Sequence, residues 1–381
     1  MRILHVITSL NNGGAENHLA ELASLQSRQK NKVIDIIYLR GDGYWVRSLR
    51  KKKISIKKFD IEKNYDLIKL FIAIIQISKY IKETKPEIVH AHLSLSEIIV
   101  AFIKIIFRLN FKMIVSKHLD SFLFEGSSGQ NRYFNGLFLE KIIFKVSTQI
   151  IFISKNVQLY FLSKVSIPKK KRSIIYYGID RENLINQKKS KNNEIKIKIK
   201  KNRNEKLILN IARHTSQKKI DSLIKGFAEY LKTNKNARLV LVGSGKETKN
   251  LKLLASQLRV ESKIYWVSYT NYVCDLFEIA DVFCLTSRYE GLGLVLLESL
   301  ALKVPVITMN SGAMKEVIKN NFSGVLLSQN FNSKSLSTAI IKIITNKKFR
   351  QKIIENGVIT LNNKFTTKKM LELTSAVYEK K

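Results

Sequence analysis

The chain has 381 residues, 45% of them hydrophobic, and a formal charge of +37 from 67 basic and 30 acidic side chains. That length asks for two cores of ordinary size, and that apolar content excludes disorder of the whole chain. Cys274 and Cys284 are too few for a disulfide framework and read as reduced thiols, Cys284 inside a strand.

The opening MRILHVITSL, from Met1 to Leu10, reads as a first strand: it lacks the small-residue cleavage site of a signal peptide. Arg2–Thr8 is apolar, and Ala15–Gln29 carries helical spacing through Leu19, Leu22, Ala23 and Leu25. The alternation continues with strand Val33–Leu39, helix Tyr44–Lys51, strand Ile54–Phe59, helix Tyr65–Lys82, strand Glu87–Ala91, helix Ser94–Arg108 and strand Lys112–Ser116. Helix Arg132–Val146, strand Ile150–Ile153, a helix Ser154–Lys164 capped by Ser154, and strand Arg172–Tyr177 complete the first half. A Lys- and Asn-rich stretch follows, Gln187–Lys206, which predicts a linker or hairpin in which Ile195, Ile197 and Ile199 could form an edge strand.

Beyond it the pattern restarts: strand Leu207–Ala212, helix Ile220–Lys232, strand Arg238–Val242, helix Glu247–Arg259 and strand Lys263–Val267. Helix Tyr272–Ala280, strand Val282–Thr286, helix Gly293–Leu302, strand Val304–Thr308, helix Ala313–Lys319 and strand Gly324–Leu327 come next, and helices close the chain from Ser333. Such βαβα order predicts two doubly wound α/β domains facing a central cleft. Their expected bounds are 1–182 and 206–362, with a linker at 183–205 and a last helix, 363–381, crossing back to the first domain. The longest apolar runs, near Leu70–Ile77 and Ile98–Phe107, are too short to span a bilayer.

The lysines are spread along the whole chain, which fits either a lysine-rich composition or a polyanionic partner. No RNA-binding sheet motif or zinc-finger spacing accompanies them, so nucleic acid is disfavoured and an anionic membrane surface is the better polyanion.

Chemistry concentrates at strand ends. Gly13 and Gly14 open the first helix, where free N–H groups suit an anion, although no GxGxxG or GxxxxGK[ST] pattern exists. Arg213 and Lys218 follow the first strand of the second half, a fork and a point charge suited to a diphosphate, and Gly243 follows the next strand. Ser287–Ile307 places Glu290 in a turn with Gly291, Leu292 and Gly293, and Glu298 in the helix after it; paired carboxylates accept well from sugar and ribose hydroxyls. His5 reads as packing, His90, His92 and His118 end strands, and His214 adjoins Arg213. Asp120 lies two residues beyond His118. No pair has the spacing of a zinc site, so no metal is expected.

Together these residues resemble the retaining glycosyltransferases of family 4, of the GT-B fold. The resemblance rests on GGAE (Gly13–Glu16), HAH (His90–His92), SKH (Ser116–His118), ISK (Ile153–Lys155) and YYGID (Tyr176–Asp180). It continues with ARHTSQK (Ala212–Lys218), VGSG (Val242–Gly245), the E-x7-E element Glu290–Glu298 and SGAMKEVI (Ser311–Ile318). It implies that Arg213 and Lys218 bind a donor diphosphate, that Glu298 holds the ribose, and that Glu290–Gly293 meets the transferred sugar. His118 would approach the sugar, and Gly13–Gly14 would lie near phosphates and acceptor. His118, Glu290, Arg213 and Lys218 are then the expected catalytic group. The first domain would bind the acceptor and the second a nucleoside-diphosphate sugar, with no metal or other cofactor. Lys219, Leu292–Gly293 and Ser311 depart from the family's Gly, aromatic–Pro and Gly. The implied activity is hexosyl or N-acetylhexosaminyl transfer to a glycan or polyprenyl-diphosphate-linked acceptor in surface-polysaccharide assembly. A cytoplasmic protein, peripheral on the inner membrane face, is expected. A sugar-nucleotide epimerase, a phosphorylase and an inactive sugar-nucleotide-binding subunit are the alternatives.

Overall fold

Arg2–Ser9 is apolar on both faces because both faces are covered: it is β1, an interior strand of a parallel sheet. A computed structural model describes residues 1–61, 67–119, 130–188, 199, 204–268 and 273–380. Its first unit comprises Met1–Gly178 with Thr367–Lys381, its second Ile179–Thr366.

In the first unit, β1 is followed by α1 (Gly14–Gln26), β2 (Val33–Arg40), α2 (Val46–Arg50), β3 (Ser55–Lys58), α3 (Leu67–Thr84) and β4 (Ile88–His92). Then come α4 (Ser94–Ile106), β5 (Lys112–Lys117), α5 (Gln130–Val146), β6 (Gln149–Phe152), α6 (Lys155–Leu162) and β7 (Arg172–Ile174). The strands lie in the order β3-β2-β1-β4-β5-β6-β7. The predicted cap of α6 is present, Ser154 Oγ accepting from Val157 N–H at 3.1 Å. The strand expected to reach Tyr177 stops at Ile174.

The second unit begins with α7 (Arg181–Lys188) and continues with β8 (Lys206–Ile211), α8 (Ile220–Leu231), β9 (Ala237–Val242), α9 (Thr248–Gln257), β10 (Ile264–Val267), α10 (Val273–Ile279) and β11 (Val282–Leu285). It ends with α11 (Leu294–Ala301), β12 (Val306–Met309), α12 (Met314–Val317), β13 (Val325–Leu327), α13 (Ser333–Thr345) and α14 (Lys347–Lys364). The sheet order is β10-β9-β8-β11-β12-β13, again all parallel. Pro305 lacks an N–H, so pairing of β12 starts at Val306 and not at Val304. The helix expected over Ala313–Lys319 is a single turn, because Ile318 turns extended (φ −107°, ψ 127°) and Lys319 N–H bonds Ser323 Oγ at 2.9 Å.

The division between units falls at Gly178/Ile179, ahead of the expected boundary. Residues 181–188 of the anticipated linker region are helical, and Arg181 Nε donates to Ala301 O at 3.0 Å within the second unit. Ile195 and Ile197 lie outside the described residues; Ile199 is buried, and its carbonyl accepts from the Arg238 guanidinium. The last helix, α15 (Thr367–Glu379), packs on α1 and inserts Met370, Val377 and Tyr378 into the core around β1. Cys274 and Cys284 are both buried free thiols.

One buried charge cluster ties sheet to helices in the first unit. Lys117 on β5 donates to Glu97 of α4 and to Glu140 of α5, the latter at 2.8 Å, with every partner below 4% exposed. Phe144 and Phe161 flank the ammonium at 5.3 and 5.1 Å. Burial opposes its charge, but Glu140 and Glu97 outweigh burial and raise its pKa. Replacing Lys117 by Met strands two buried carboxylates and should cost roughly 3–5 kcal/mol. Urea unfolding followed at Trp45 in a Trp266→Phe background measures it, and adding Glu97→Gln with Glu140→Gln should restore most of the loss.

Candidate active site

In the second sheet, strand order reverses between β8 and β11, so the loops leaving those strands part at their carboxyl ends and leave room for a ligand. Arg213 and Lys218 lie on the first loop, Ser287–Glu290 on the second. Two hydrogen bonds strap the loops together: the main-chain Arg288 N–H donates to Gln217 O at 2.8 Å, and the side-chain Gln217 Nε2 to Tyr289 O at 2.9 Å. Glu290 Oε1 accepts from Lys218 Nζ at 2.6 Å and from Ser287 Oγ at 2.6 Å. Arg213 is exposed on the same edge, and no carboxylate among the described residues pairs with it. The expected diphosphate pair therefore contains one open cation and one already neutralised by the expected sugar-binding carboxylate.

The β9 loop closes against the β8 loop. A Cβ on Gly243 (φ +132°) would lie 2.0 Å from Ala212 O, so only glycine fits there, and His214 N–H bonds Ser244 O at 3.0 Å. The departures from the family pattern acquire physical meaning. Lys219, where the family has Gly, occupies the left-handed region at φ +48°. Gly293 has φ +86°, a conformation closed to the family's Pro, whose ring holds φ near −65°. Leu292 is 1% exposed, so its side chain belongs to the core and only its main chain is free to meet a ligand. Ser311 Oγ bonds Arg288 O at 2.7 Å, securing the Glu290 loop from below. Beside that loop lies a cavity of about 300 Å³ lined by Lys219, Arg288, Met309, Ser311, Gln329 and Asn330.

Glu298 sits in the second turn of α11, partly buried, with no hydrogen bond to its carboxylate among the described residues. Burial pushes its pKa up to about 7. A carboxylate kept desolvated and unbonded is ready to accept from hydroxyls.

Gly13, Gly14 and His118 belong to the first unit. Gly13 is the N-cap of α1, without a side-chain cap, and Glu16 folds back to accept from Ser9 Oγ at 2.6 Å. The strand motifs HAH and SKH place alternate residues on one face: His90, His92, Ser116 and His118 face one way, Lys117 the other. With His5 on β1 beside His90, they form a continuous hydrogen-bonded chain. Gln26 Nε2 donates to Tyr378 Oη at 3.2 Å, leaving Gln26 Oε1 to accept from His5 Nε2 at 2.8 Å. His5 Nδ1 must then accept from His92 Nε2 (3.1 Å), His92 Nδ1 from His118 Nε2 (3.2 Å), and His118 Nδ1 from the Tyr177 hydroxyl (2.6 Å). On the other branch Tyr378 Oη donates to His90 Nδ1 at 2.7 Å, and His90 Nε2 donates to Ser116 Oγ at 2.8 Å. The orientation of one amide thus sets the tautomer of four imidazoles.

Burial lowers the pKa of every imidazole in this chain, to about 4 for His5 and well below the usual range for His90, His92 and His118, and raises those of the Tyr177 and Tyr378 hydroxyls. The facing ligand atoms of His5, His90 and His92 lie within 4.8 Å of one another, near enough to hold a metal ion, but only if these hydrogen bonds were broken. Sequence spacing had shown no such trio, because it is assembled from β1 and β4. His5, anticipated as packing, is a link in the chain; His118 has both ring nitrogens occupied. Gln26, Tyr177, Tyr378 and His18 escaped sequence reasoning. Only the position of His18, four residues after Gly14 and hence on the same helix face, offered a signal.

Two outcomes test these assignments. Imidazole ¹⁵N spectra should show His5, His90, His92 and His118 as neutral Nε2–H tautomers that do not titrate between about pH 5 and 9. For Glu298, a folded pKa above the unfolded value favours the protonated form, so its contribution to stability is full below about pH 4.5 and is lost as pH rises through about 7. Glu298→Gln should flatten that decline, read from urea midpoints at acid and at mildly alkaline pH.

Residues 12–183 match the family model Glycosyltransferase Family 4, and residues 191–358 the model Glycosyl transferases group 1. The uncharacterized glycosyltransferase MJ1607 of Methanocaldococcus jannaschii is 30% identical over 236 residues, covering 61% of this chain and only 60% of that relative's length. The Escherichia coli UDP-Gal:alpha-D-GlcNAc-diphosphoundecaprenol alpha-1,3-galactosyltransferase is 25% identical over 309 residues, 77% of each chain. The crystal structure of Anabaena HepE in complex with UDP and glucose superposes with a TM-score of 0.83 at 18% identity, over 99% of this chain and 98% of that one, and so shares the fold. Two parallel-sheet Rossmann-like units, each half matching its own family model, are the GT-B arrangement, and the chain belongs to the group 1, family 4 glycosyltransferases.

Proposed function

We propose that this protein transfers a sugar, with retention, from a nucleoside-diphosphate sugar to a hydroxyl of a glycan or polyprenyl-diphosphate-linked acceptor. The observation that carries it is the convergence of Arg213, Lys218 and Glu290 on two strapped loops at a topological switch point. Arg213 takes the diphosphate bidentately, while Lys218 moves from Glu290 to phosphate as donor binds. Glu290 is then released toward the sugar, and Glu298 accepts from the ribose. Charge growing on the leaving diphosphate meets Arg213 and Lys218, so this reading needs no metal. The pyrophosphate oxygen left behind takes the acceptor proton. A UDP-sugar is the first donor to try, since the E. coli relative is named for UDP-Gal and HepE was solved with UDP.

The acceptor side of the proposal rests on the first unit. Ile68, Phe71, Ile72 and Ile75 on α3, and Phe102, Ile105 and Ile106 on the neighbouring α4, are 39–72% exposed in a chain of charge +37. Apolar side chains with abundant lysine suit the anionic surface of a membrane carrying a lipid-linked acceptor, with the protein peripheral on its cytoplasmic face. No helix among the described residues is long and apolar enough to cross a membrane.

The test begins with a thermal-shift screen of UDP-, GDP-, ADP- and CMP-sugars, followed by transfer assays on vesicles containing a polyprenyl-diphosphate glycan. Arg213→Ala and Lys218→Ala should each lower transfer at least a hundredfold, about 2.7 kcal/mol, with the melting temperature of the free protein unchanged in Arg213→Ala and lowered in Lys218→Ala, which leaves the Glu290 carboxylate without its cation. Wild-type transfer rates in both variants would remove the assignment. Conversion of donor with no acceptor present would instead identify an epimerase. No binding to anionic vesicles at low salt would detach the membrane from the proposal.

A further inference from the structure

Sequence resemblance points to His118 as the imidazole that approaches a sugar, yet both nitrogens of His118 are occupied, by His92 and by Tyr177. The same holds for His5, His90 and, on both ring nitrogens, His92. His18 differs. It lies in the second turn of α1 at 6% exposure, and its Nδ1 is enclosed without any hydrogen-bond partner. No partner reaches Nε2 among the described residues either. Its ring stacks on Tyr177, centroids 4.4 Å apart and planes at 24°, and stands edge-on to His118 at 5.6 Å. Since the Tyr177 hydroxyl is tied to His118, the surface against which His18 rests is itself held in place.

Two features of α1 bear on what could reach this ring. His18 and Gly14 are four residues apart and share a face, and a Cβ built on Gly14 would have nothing within 4 Å. Gly13 gives no side-chain cap, and the first main-chain bond of the helix is Asn17 N–H to Gly13 O, so the N–H groups of Gly14, Ala15 and Glu16 have no acceptor within the helix. Open space at Gly14 and main-chain donors without an intrahelical acceptor thus lie one turn before a buried imidazole whose Nδ1 has no partner among the described residues, with the Glu16 carboxylate folded back over Gly13.

We propose that His18 is the hydroxyl-binding imidazole of the first unit, bonding a sugar hydroxyl through a ring nitrogen while the first turn of α1 holds another oxygen of the same ligand. The chemistry is specific. A neutral imidazole offers one donor and one acceptor, which matches a hydroxyl, whereas a phosphate or carboxylate would call for a cation. Burial, with the neighbouring His5 as a lesser cause, keeps His18 neutral by lowering its pKa to about 3. His118, Tyr177 and the chain behind them then act as positioning residues, fixing the stacking surface on which the His18 ring is oriented. This proposal rests on the transferase reading above, because it needs a sugar as ligand.

The decisive variants are His18→Phe, which keeps the stack on Tyr177 and removes the nitrogens, and His18→Gln, which keeps a donor and an acceptor. Each is compared with wild type for UDP thermal shift and for transfer from the sugar nucleotide that gives the largest shift in the screen, with KM measured separately for donor and acceptor. His18→Phe should bind UDP as wild type does and lose transfer roughly tenfold to a hundredfold, the range for leaving one hydroxyl unpaired. His18→Gln should recover a substantial part of that loss. A rise confined to the donor KM assigns the hydroxyl to the transferred sugar, and a rise confined to the acceptor KM assigns it to the acceptor. Wild-type transfer in His18→Phe, or equal losses in both variants, overturns the role of His18 while leaving the transferase reading intact. Absence of transfer and of nucleotide binding in the wild type itself would instead overturn both. Should His18→Phe fail to fold, ¹⁵N spectra of the wild type decide: His18 must shift when UDP-glucose and methyl glucoside are added together, and an unmoved signal overturns the proposal.

Discussion

Every paired strand in both sheets runs in the same direction, and that constraint organises the rest of the molecule. Parallel pairing requires a crossover after each strand, so the loops that lead into helices all leave from the carboxyl edge. Residues far apart in sequence, such as Lys218 and Glu290, become bonded neighbours because β8 and β11 are adjacent. The same rule puts the Gly13 turn and the end of β4 side by side in the first unit. The candidate site groups Arg213, Lys218 and Glu290 lie at that edge, on loops beyond the buried strands β8 and β11.

The first unit shows how a parallel sheet tolerates polar groups that simple packing would reject. His5, His90, His92 and His118 are at most 5% exposed on strands or at their ends, where an unbonded ring nitrogen would cost of order 1–3 kcal/mol. The cost is avoided by linking them head to tail, through Gln26 and Tyr378, until each ring has one donor and one acceptor bond. On the opposite face Lys117 meets two carboxylates that compensate its charge, while burial keeps the histidine chain neutral. Tyr378 comes from the last helix, which makes α15 a structural part of the first unit.

In the second unit the balance is electrostatic. Lys218 and Glu290 neutralise each other, and among the described residues Arg213 has no carboxylate partner and the Glu298 carboxylate, raised in pKa by burial, has no hydrogen bond. Such an arrangement holds Lys218 and Glu290 in place through their own ion pair. Two left-handed backbone positions, Lys219 and Gly293, sit on either side of these loops. Glycine adopts that geometry freely at 293, whereas at Lys219 the chain accepts an unfavourable local conformation beside the charged groups.

The sequence alone determined the alternation of strands and helices, the doubly wound class, the cap at Ser154 and the loops carrying Arg213, Lys218 and Glu290. These are local properties, since periodicity, turn residues and position after an apolar run are written into neighbouring residues. Strand ends were less legible where one residue intervened, as at Pro305. Only the tertiary structure decided the boundary at Gly178, the Lys218–Glu290 pair, the occupancy of His118 and the buried, unbonded Nδ1 of His18. Each of those depends on which strand lies beside which, and on helix α15 returning to β1 across the whole chain. A hydrogen bond between Gln26 and Tyr378 spans 352 residues, and nothing in the sequence near either one announces it, because side-chain partners are chosen by the packed sheet and not by the local chain.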